Sequence, residues 1–317
     1  MLLKWSSLIK AALFLGIFLL GLRWMSAAVA RSSAPAFKKM LSRLTGSPWR
    51  GFGTGFLSTA LVQSSSLITV MVVSLVNAGV MTLQQGFGVI VGANVGTTIT
   101  GQLLSFNIYW LAWPLMGLAA LSMFIPHRGF RKMTAPLFGC ALLFLGMGGM
   151  TAALASLKES ALFIEALQMA RASPWRAIFT GAVAATALQS SSAVVGIVMG
   201  LAHEGMINLP AGVALLIGAD VGTCTTALIA SIGMDFTARR AAWFHFFFNL
   251  ISLVLALLFY PSLLLIAAKS GSILTRRLAN AHFIYNFLGA IVLLPLAEPL
   301  ARLIEGGTFR NPFRRRC

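Results

Sequence analysis

The sequence predicts an all-α integral membrane fold of two inverted-topology repeats, each carrying a re-entrant hairpin and a discontinuous helix. Three observations predict it. The 317 residues are 58% hydrophobic and only 10% charged, whereas a soluble domain carries about 25% charged residues. Residues 47 to 100 recur without a gap, 126 positions later, as residues 173 to 226, with 21 of the 54 paired positions identical. In each copy, polar and glycine-containing motifs interrupt apolar segments, the pattern of repeat-built membrane proteins whose helices break at mid-membrane.

A bilayer crossing needs about 20 apolar residues, and full crossings fall near 9 to 30, 83 to 105, 107 to 126, 134 to 155, 209 to 233, 241 to 266 and 281 to 304. The first, preceded by Lys4 and Lys10 and followed by Ala27-Ala28-Val29-Ala30, imitates a cleavable signal peptide. Its segments Phe18-Leu19-Leu20-Gly21 and Met25-Ser26-Ala27-Ala28 recur as Leu143-Phe144-Leu145-Gly146 and Met150-Thr151-Ala152-Ala153, so it is expected to stay as the opening helix of repeat one. Residues 51 to 78 and 177 to 203 are long enough to cross, but Gln and three serines interrupt each midway. Each reads as a re-entrant hairpin of two half-helices, the alternative being one helix whose hydroxyls bond back to the backbone.

Repeat one thus covers residues 1–126, with hairpin 51–78 and discontinuous helix 83–105, and repeat two covers 127–268, with hairpin 177–203 and discontinuous helix 209–233. Residues 269–317 hold a final helix and a basic tail outside the duplication. Three crossings per repeat is an odd number, so the second copy starts from the opposite face of the membrane.

The net charge of +17 comes from 24 Lys and Arg against 7 Asp and Glu. Of the basic residues, 15 fall on one side of this layout (Arg31, Lys38, Lys39, Arg43, Arg50, Arg128, Arg131, Lys132, Arg239, Arg240, Arg302, Arg310 and Arg314 to Arg316) and 8 on the other. The bias places the C-terminus in the cytoplasm and the N-terminus outside, although Lys4 and Lys10 pull the other way. Arg23 lies within the first span and is expected to snorkel to an interface. No soluble basic domain is present to hold a nucleic acid. Cys140, Cys224 and Cys317 are odd in number and far apart, which implies no disulfide framework.

Two doubled motifs carry the chemistry. Three consecutive hydroxyls on a regular helix point about 100° apart, but on an unwound hairpin tip they converge. Gln63, Ser64, Ser65 and Ser66, with Gln189, Ser190, Ser191 and Ser192, therefore offer amides, hydroxyls and the N–H groups of a half-helix N-terminus, a setting suited to a tetrahedral oxyanion. Non-helical backbone at this depth must line a cavity or be buried in protein. The second motif, Gly92 to Thr98 and its copy Gly218 to Cys224, is expected to open the backbone. Its loosened carbonyls would join Asn94, Thr97, Thr98, Asp220, Thr223 and Thr225 as hard ligands for an alkali cation. A buried carboxylate at Asp220 calls for such a partner, or for protonation or a hydrogen-bond hub. Cys224 replaces the hydroxyl of Thr98, so the copies differ. His245 with Asn249 and His282 with Asn286 share helix faces and read as polar glue between helices.

These motifs, Gln-Ser-Ser-Ser twice and Gly-Ala-Asn-Val-Gly-Thr-Thr, together with His245/Asn249 and His282/Asn286, resemble the type II sodium/phosphate cotransporter family over most of the chain, to about Asn286. The resemblance implies a bacterial inner-membrane protein that moves inorganic phosphate by alternating access. Sodium is then the coupling ion, with no other metal or cofactor. It also leaves open an exporter, another anion (sulfate, arsenate or a dicarboxylate) and a homodimer. Asp220 stands where the family more often has Asn. An intramembrane serine hydrolase using Ser65 or Ser191 is a distant alternative, because a duplicated serine lacks the unique nucleophile and neighbouring base that catalysis requires. A channel of the same fold is another.

Overall fold

The computed structural model describes residues 5–44, 47–125 and 127–306. Among them every regular element is helical. Residues 1–126 supply α1 (Trp5–Leu44), α2 (Pro48–Val62), α3 (Ser65–Asn77), α4 (Leu83–Leu104) and, after a 3-10 turn at Tyr109–Leu111, α5 (Ala112–Phe124). Residues 127–269 supply α6 (Arg128–Ala155), α7 (Ala161–Ala172), α8 (Pro174–Leu188), α9 (Ser191–His203), α10 (Leu209–Ala230), α11 (Phe236–Leu258) and α12 (Tyr260–Lys269). The chain closes with α13 (Leu274–Leu293) and α14 (Ala297–Gly306). Five stretches, Trp5–Val29, Leu83–Leu104, Gly129–Glu159, Leu209–Ala230 and Phe236–Leu258, are long and apolar enough to cross a membrane. The side chains of Arg31, Lys38, Lys39 and Arg43, and the residues Lys4, Arg310 and Arg314 to Arg316, lie outside what the structure describes.

Three expected crossings take a different form. Residues 107 to 126 become the short turn and the 13-residue α5. Residues 241 to 266 divide at Phe259 into α11 and α12, because Pro261 in the first turn of α12 has no N–H with which to continue α11. The final helix begins earlier, at Leu274, and stops at Leu293, two residues before Pro295. It carries Arg276, Arg277, Asn280, His282 and Asn286, so its sequence is less apolar than that of the other long helices. Helix α7, between α6 and α8, corresponds to no expected element.

The largest correction concerns α4 and α10. Both were expected to be discontinuous, yet both run unbroken for 22 residues. Their glycines serve packing instead of opening the backbone. Gly88, Gly92 and Gly96 recur every fourth residue on one face, so a Cβ at each would lie closer than 3.0 Å to α2 atoms at Pro48, Phe52 and Phe56. The second copy repeats this, with Gly218 against Ile178 and Gly222 against Ala182. Gly55 and Gly181 return the contact from the hairpin side, against the carbonyls of Val89 and Leu215. Small residues at four-residue spacing let two helix backbones touch, which is how membrane helices associate where no hydrophobic drive operates between them.

The opening helices of the two repeats, α1 and α6, also meet through glycine. Gly21 faces Gly139 and Leu143, Gly139 faces Gly21 and Met25, and Gly146 faces Phe14 and Phe18. Residue numbers rise along one helix as they fall along the other, so the pair is antiparallel. With Phe18 matched to Leu143, the contacts of Gly21 and Gly146 are the same contacts with the partners exchanged, as a two-fold axis between the helices requires.

The glycine seams should be intolerant of one added methyl. Gly92→Ala and Gly218→Ala are expected to destabilise the detergent-solubilised protein by about 1–3 kcal/mol through overpacking, read as a lowered midpoint of thermal unfolding. Gly53→Ala, where a Cβ meets nothing within 4 Å, should leave the midpoint unchanged.

Candidate functional site

Each hairpin turns at its glutamine. Gln63 (φ 58°) and Gln189 (φ 53°) are the two non-glycine residues with positive φ among the described residues, a conformation costing about 1–2 kcal/mol for a residue with a Cβ. The same clamp holds both. The Gln63 amide donates from Nε2 to the Ala60 carbonyl (2.5 Å) and accepts at Oε1 from Thr100 Oγ1 (2.7 Å). Gln189 repeats this with the Thr186 carbonyl (3.0 Å) and Thr226 Oγ1 (3.0 Å). Ser64 and Ser190 then cap the following helices, their Oγ atoms accepting from Leu67 N (3.3 Å) and Ala193 N (3.2 Å). That leaves the serine pairs Ser65 and Ser66, and Ser191 and Ser192, in the first turns of α3 and α9, where backbone N–H groups have no intrahelical acceptor. Ser26 of α1 donates to the Val62 carbonyl (2.6 Å) and ties α1 to the first tip.

The two tips share one cavity of about 500 Å³, and all eight Gln and Ser residues line it, together with Leu19, Leu22, Arg23, Ser26 and Ala27 of α1. The tips are unequal: Gln63 is buried whereas Gln189 is exposed, yet Ser192 is buried whereas Ser66 is only partly so. Arg23 also lines this cavity. No histidine lines it.

Of the residues expected to hold a cation, Asn94, Thr97, Thr98, Asp220 and Thr223 are buried outside that cavity and Thr225 is partly buried. Because α4 and α10 are unbroken, the carbonyls of Gly92 to Thr98 and Gly218 to Cys224 are not loosened as the sequence suggested. The hydroxyls bond back along their own helices: Thr97 to Ala93 O (3.1 Å), Thr98 to Val95 O (2.7 Å), Thr223 to Ala219 O (2.9 Å) and Thr225 to Gly222 O (2.8 Å). Asn94 Nδ2 donates to Ile90 O (3.2 Å). From α11, His245 Nε2 lies 3.3 Å from Asn94 Oδ1, and Asn249 Nδ2 donates to the same oxygen at 3.5 Å. From α13, His282 Nε2 (3.2 Å), Tyr285 OH (2.5 Å) and Asn286 Nδ2 (2.8 Å) converge on Asp220 Oδ2. The polar pair on α11 thus serves the first copy and the pair on α13 the second. Although α13 stands outside the duplicated stretch, it performs for α10 what α11 performs for α4.

Tyr285 escaped the sequence reading, yet a signal for it existed. Aligning His245-Phe246-Phe247-Phe248-Asn249 with His282-Phe283-Ile284-Tyr285-Asn286 puts Phe248 opposite Tyr285, a hydroxyl gained in the copy that also gains the carboxylate. The Oδ1 atoms of Asn249 and Asn286 are buried without a hydrogen-bond partner, as are the Nδ1 atoms of His245 and His282. Asp220 Oδ1 has only a 3.4 Å contact with His282. This layer therefore keeps spare acceptors beside its single carboxylate.

A duplicated helical membrane protein whose polar hairpin tips enclose a common cavity falls in the class of repeat-built membrane transporters. The chain belongs to the Na+/Pi-cotransporter family, which it matches twice, over residues 17–152 and again over 149–293. Among its relatives is YqeW of Bacillus subtilis (strain 168), 26% identical over 289 residues, covering 91% of this chain and 94% of that protein. Another is YjbB of Escherichia coli (strain K12), 27% identical over 286 residues and provisionally named an inorganic phosphate export protein; the match covers 87% of this chain and 51% of that protein, so the chain spans about half its length. The human sodium-dependent phosphate transport protein 2C is 38% identical over 127 residues, which is 38% of this chain and 21% of that protein. No solved structure matches the chain.

Tyr285 and Asp220 should behave as one unit. Tyr285→Phe is expected to cost about 1–3 kcal/mol, because it strips a donor from a buried carboxylate. The double variant Asp220→Asn with Tyr285→Phe, which restores the pairing of copy one, should lose less than the sum of the single changes, with a coupling of about 0.5–3 kcal/mol in a thermal-unfolding cycle.

Proposed function

We propose that the protein is a sodium-coupled transporter of inorganic phosphate that works by alternating access, with the anion held between the two Gln-Ser-Ser-Ser tips. The observation that carries this is the shared cavity. Two helix N-termini, each with two serine hydroxyls and unpartnered first-turn N–H groups, line one space of about 500 Å³, and helix N-termini are natural anion sites. The glutamines, with both ends of their amides already bonded, act as clamps that hold each tip open. Ser65, Ser66, Ser191 and Ser192 are the direct ligands, and the capping hydroxyls of Ser64 and Ser190 still have a proton to donate.

Re-entry of the hairpins is supported by their dimensions. Helices α2 and α8 have 15 residues and α3 and α9 have 13, lengths of about 20–22 Å against a hydrocarbon core of about 30 Å. The antiparallel, exchange-symmetric pairing of α1 with α6 supports opposite orientation of the repeats in the membrane, and the excess of basic residues on one side supports a cytoplasmic C-terminus.

Sodium binding at the buried layer draws support from the near-free Asp220 Oδ1, the unpartnered oxygens of Asn249 and Asn286 and the threonine hydroxyls. Thr97, Thr98, Thr223 and Thr225 donate to carbonyls and so keep lone pairs for a cation. Asn94 and Asp220, one from each copy, give this layer its centre. The provisional name of the Escherichia coli relative favours a second reading, in which the same machinery exports phosphate.

Radiolabelled phosphate flux in proteoliposomes, compared under sodium, potassium and proton gradients and in both membrane orientations, tests coupling and direction together. Ser65→Ala and Ser191→Ala should each raise the half-saturating phosphate concentration about tenfold or more, as loss of one hydrogen bond to a charged group implies. Unchanged uptake in both would remove the tips from the substrate site. Asp220→Asn should move the half-saturating sodium concentration, and a fixed value would make Asp220 purely structural.

A further inference from the structure

We infer that the groove between α11, α13 and α14 binds one anionic phospholipid, with an acyl chain along the aromatic stripe of α11 and the headgroup phosphate on Arg239 and Arg240. The inference stands apart from the function proposed above, because this groove shares no residue with the cavity between the tips.

Every helix face turned to a bilayer touches lipid tails, so exposed apolar residues alone point to no site. Three features set this face apart. It is hollow, enclosing about 600 Å³. Phe236, Arg240, Trp243, Phe247 and Ile251 follow at steps of three or four and so form one stripe along α11. From Arg240 to Ile251 that stripe runs about 16 Å, close to the ~15 Å of hydrocarbon in one leaflet. Leu293 of α13 and Leu300 of α14 make the opposite wall.

The third feature is charge. Arg239 and Arg240, the two charged residues of the lining, stand together near the start of α11. Among the described residues neither pairs with a carboxylate. Arg240 is held with its Cζ 4.2 Å from the centroid of the Phe236 ring, and Arg239 commits Nε to the Met234 carbonyl (3.1 Å). Both guanidinium forks therefore keep donors for a ligand. Glu298 of α14 is taken by Arg302, and Asp235 stands outside the lining.

An apolar groove that ends in two guanidinium groups fits an amphiphilic anion. A phosphodiester presents two free oxygens to an arginine fork, and a membrane supplies such headgroups beside basic residues. A zwitterionic lipid would bring its own cation against the two arginines, and free phosphate would leave the groove unfilled. The site also touches the working parts of the molecule. Its residues Phe244 and Phe248 directly precede His245 and Asn249, which reach Asn94, and the Phe244 ring stacks on Phe87 of α4 with centroids 3.6 Å apart. A chain in the groove braces from outside the helix that holds the polar pair within.

The test places the purified protein in phosphatidylcholine bilayers containing a small fraction of lipid with brominated acyl chains, which quench tryptophan on contact. At equal fractions, brominated phosphatidylglycerol should quench the wild type more than brominated phosphatidylcholine does, and Trp243→Phe should remove that excess. Arg239→Gln combined with Arg240→Gln should need roughly thirtyfold more phosphatidylglycerol for the same excess, as loss of two basic residues beside an anionic headgroup implies. Phosphatidylglycerol should also raise the unfolding midpoint of the detergent-solubilised wild type, as a ligand of the folded state does, and raise that of the double glutamine variant less. Equal quenching by the two lipids in the wild type, or a wild-type midpoint that phosphatidylglycerol does not move, would overturn the inference. So would an excess that survives in Trp243→Phe, or one that inorganic phosphate abolishes, which would give the arginines to the free anion. If the double glutamine variant lost its fold, the Trp243→Phe comparison would still decide the matter.

Discussion

Backbone contact between α2 and α4, and again between α8 and α10, is the constraint on which the rest of the molecule depends. Gly88, Gly92 and Gly96 bring the backbone of α4 against Pro48, Phe52 and Phe56, and Gly218 and Gly222 bring α10 against Ile178 and Ala182. Only at that separation can Thr100 reach Gln63 Oε1, and Thr226 reach Gln189 Oε1. Those two bonds hold glutamines in a left-handed conformation that would otherwise relax. The tip geometry is therefore set by a seam on the same helix face as the clamping threonine, and the strain of the tip is offset by the seam and the clamp together.

Built on that seam, the copies are alike where they form the tips and differ where they form the buried layer. The glutamine clamps and the serine caps have twins 126 residues on, whereas the bond from Ser26 to the Val62 carbonyl belongs to the first tip alone. The layer around Asn94 and Asp220 breaks that likeness by one carboxylate, one tyrosine hydroxyl and one cysteine. Asn249 Nδ2 reaches Cys224 Sγ (3.2 Å) as well as Asn94, so the α11 pair bridges the two copies. A network with one charge and several unpartnered acceptors is poised to respond to a cation in a way a fully satisfied one is not.

The duplication was legible in the residues because identical motifs at a fixed offset need no structure to be seen. So were the breaks at Gln63 and Gln189, since Gln-Ser-Ser-Ser halfway along an apolar run has no comfortable place on a continuous helix. The state of α4 and α10 was misread for a physical reason. Glycine loosens a helix and also lets helices touch, and the composition of Gly92 to Thr98 is the same in both cases. The four-residue spacing of Gly88, Gly92 and Gly96 was the deciding sign. That Arg23 shares a cavity with the tips is not legible in the sequence, because its distance to them depends on tertiary contact alone. Tyr285 was hidden because its partner lies 65 residues away on another helix.

Likeness and difference together bear on how such a protein can cycle. Two copies related by a two-fold axis can exchange conformations, each taking the form of the other, and that exchange moves an opening from one face of a cavity to the opposite face without dismantling the site. The structure holds the copies unequal in this respect, with Gln63 buried and Gln189 exposed. In the proposed alternating-access cycle, the reciprocal state would bury Gln189 and uncover Gln63. It needs no new contact type, because the clamp, the cap and the glycine seam already exist in duplicate. What the exchange cannot duplicate is the charge on Asp220. The two states therefore differ in where a fixed negative charge lies relative to the open face, and a cation bound beside it would favour one state over the other.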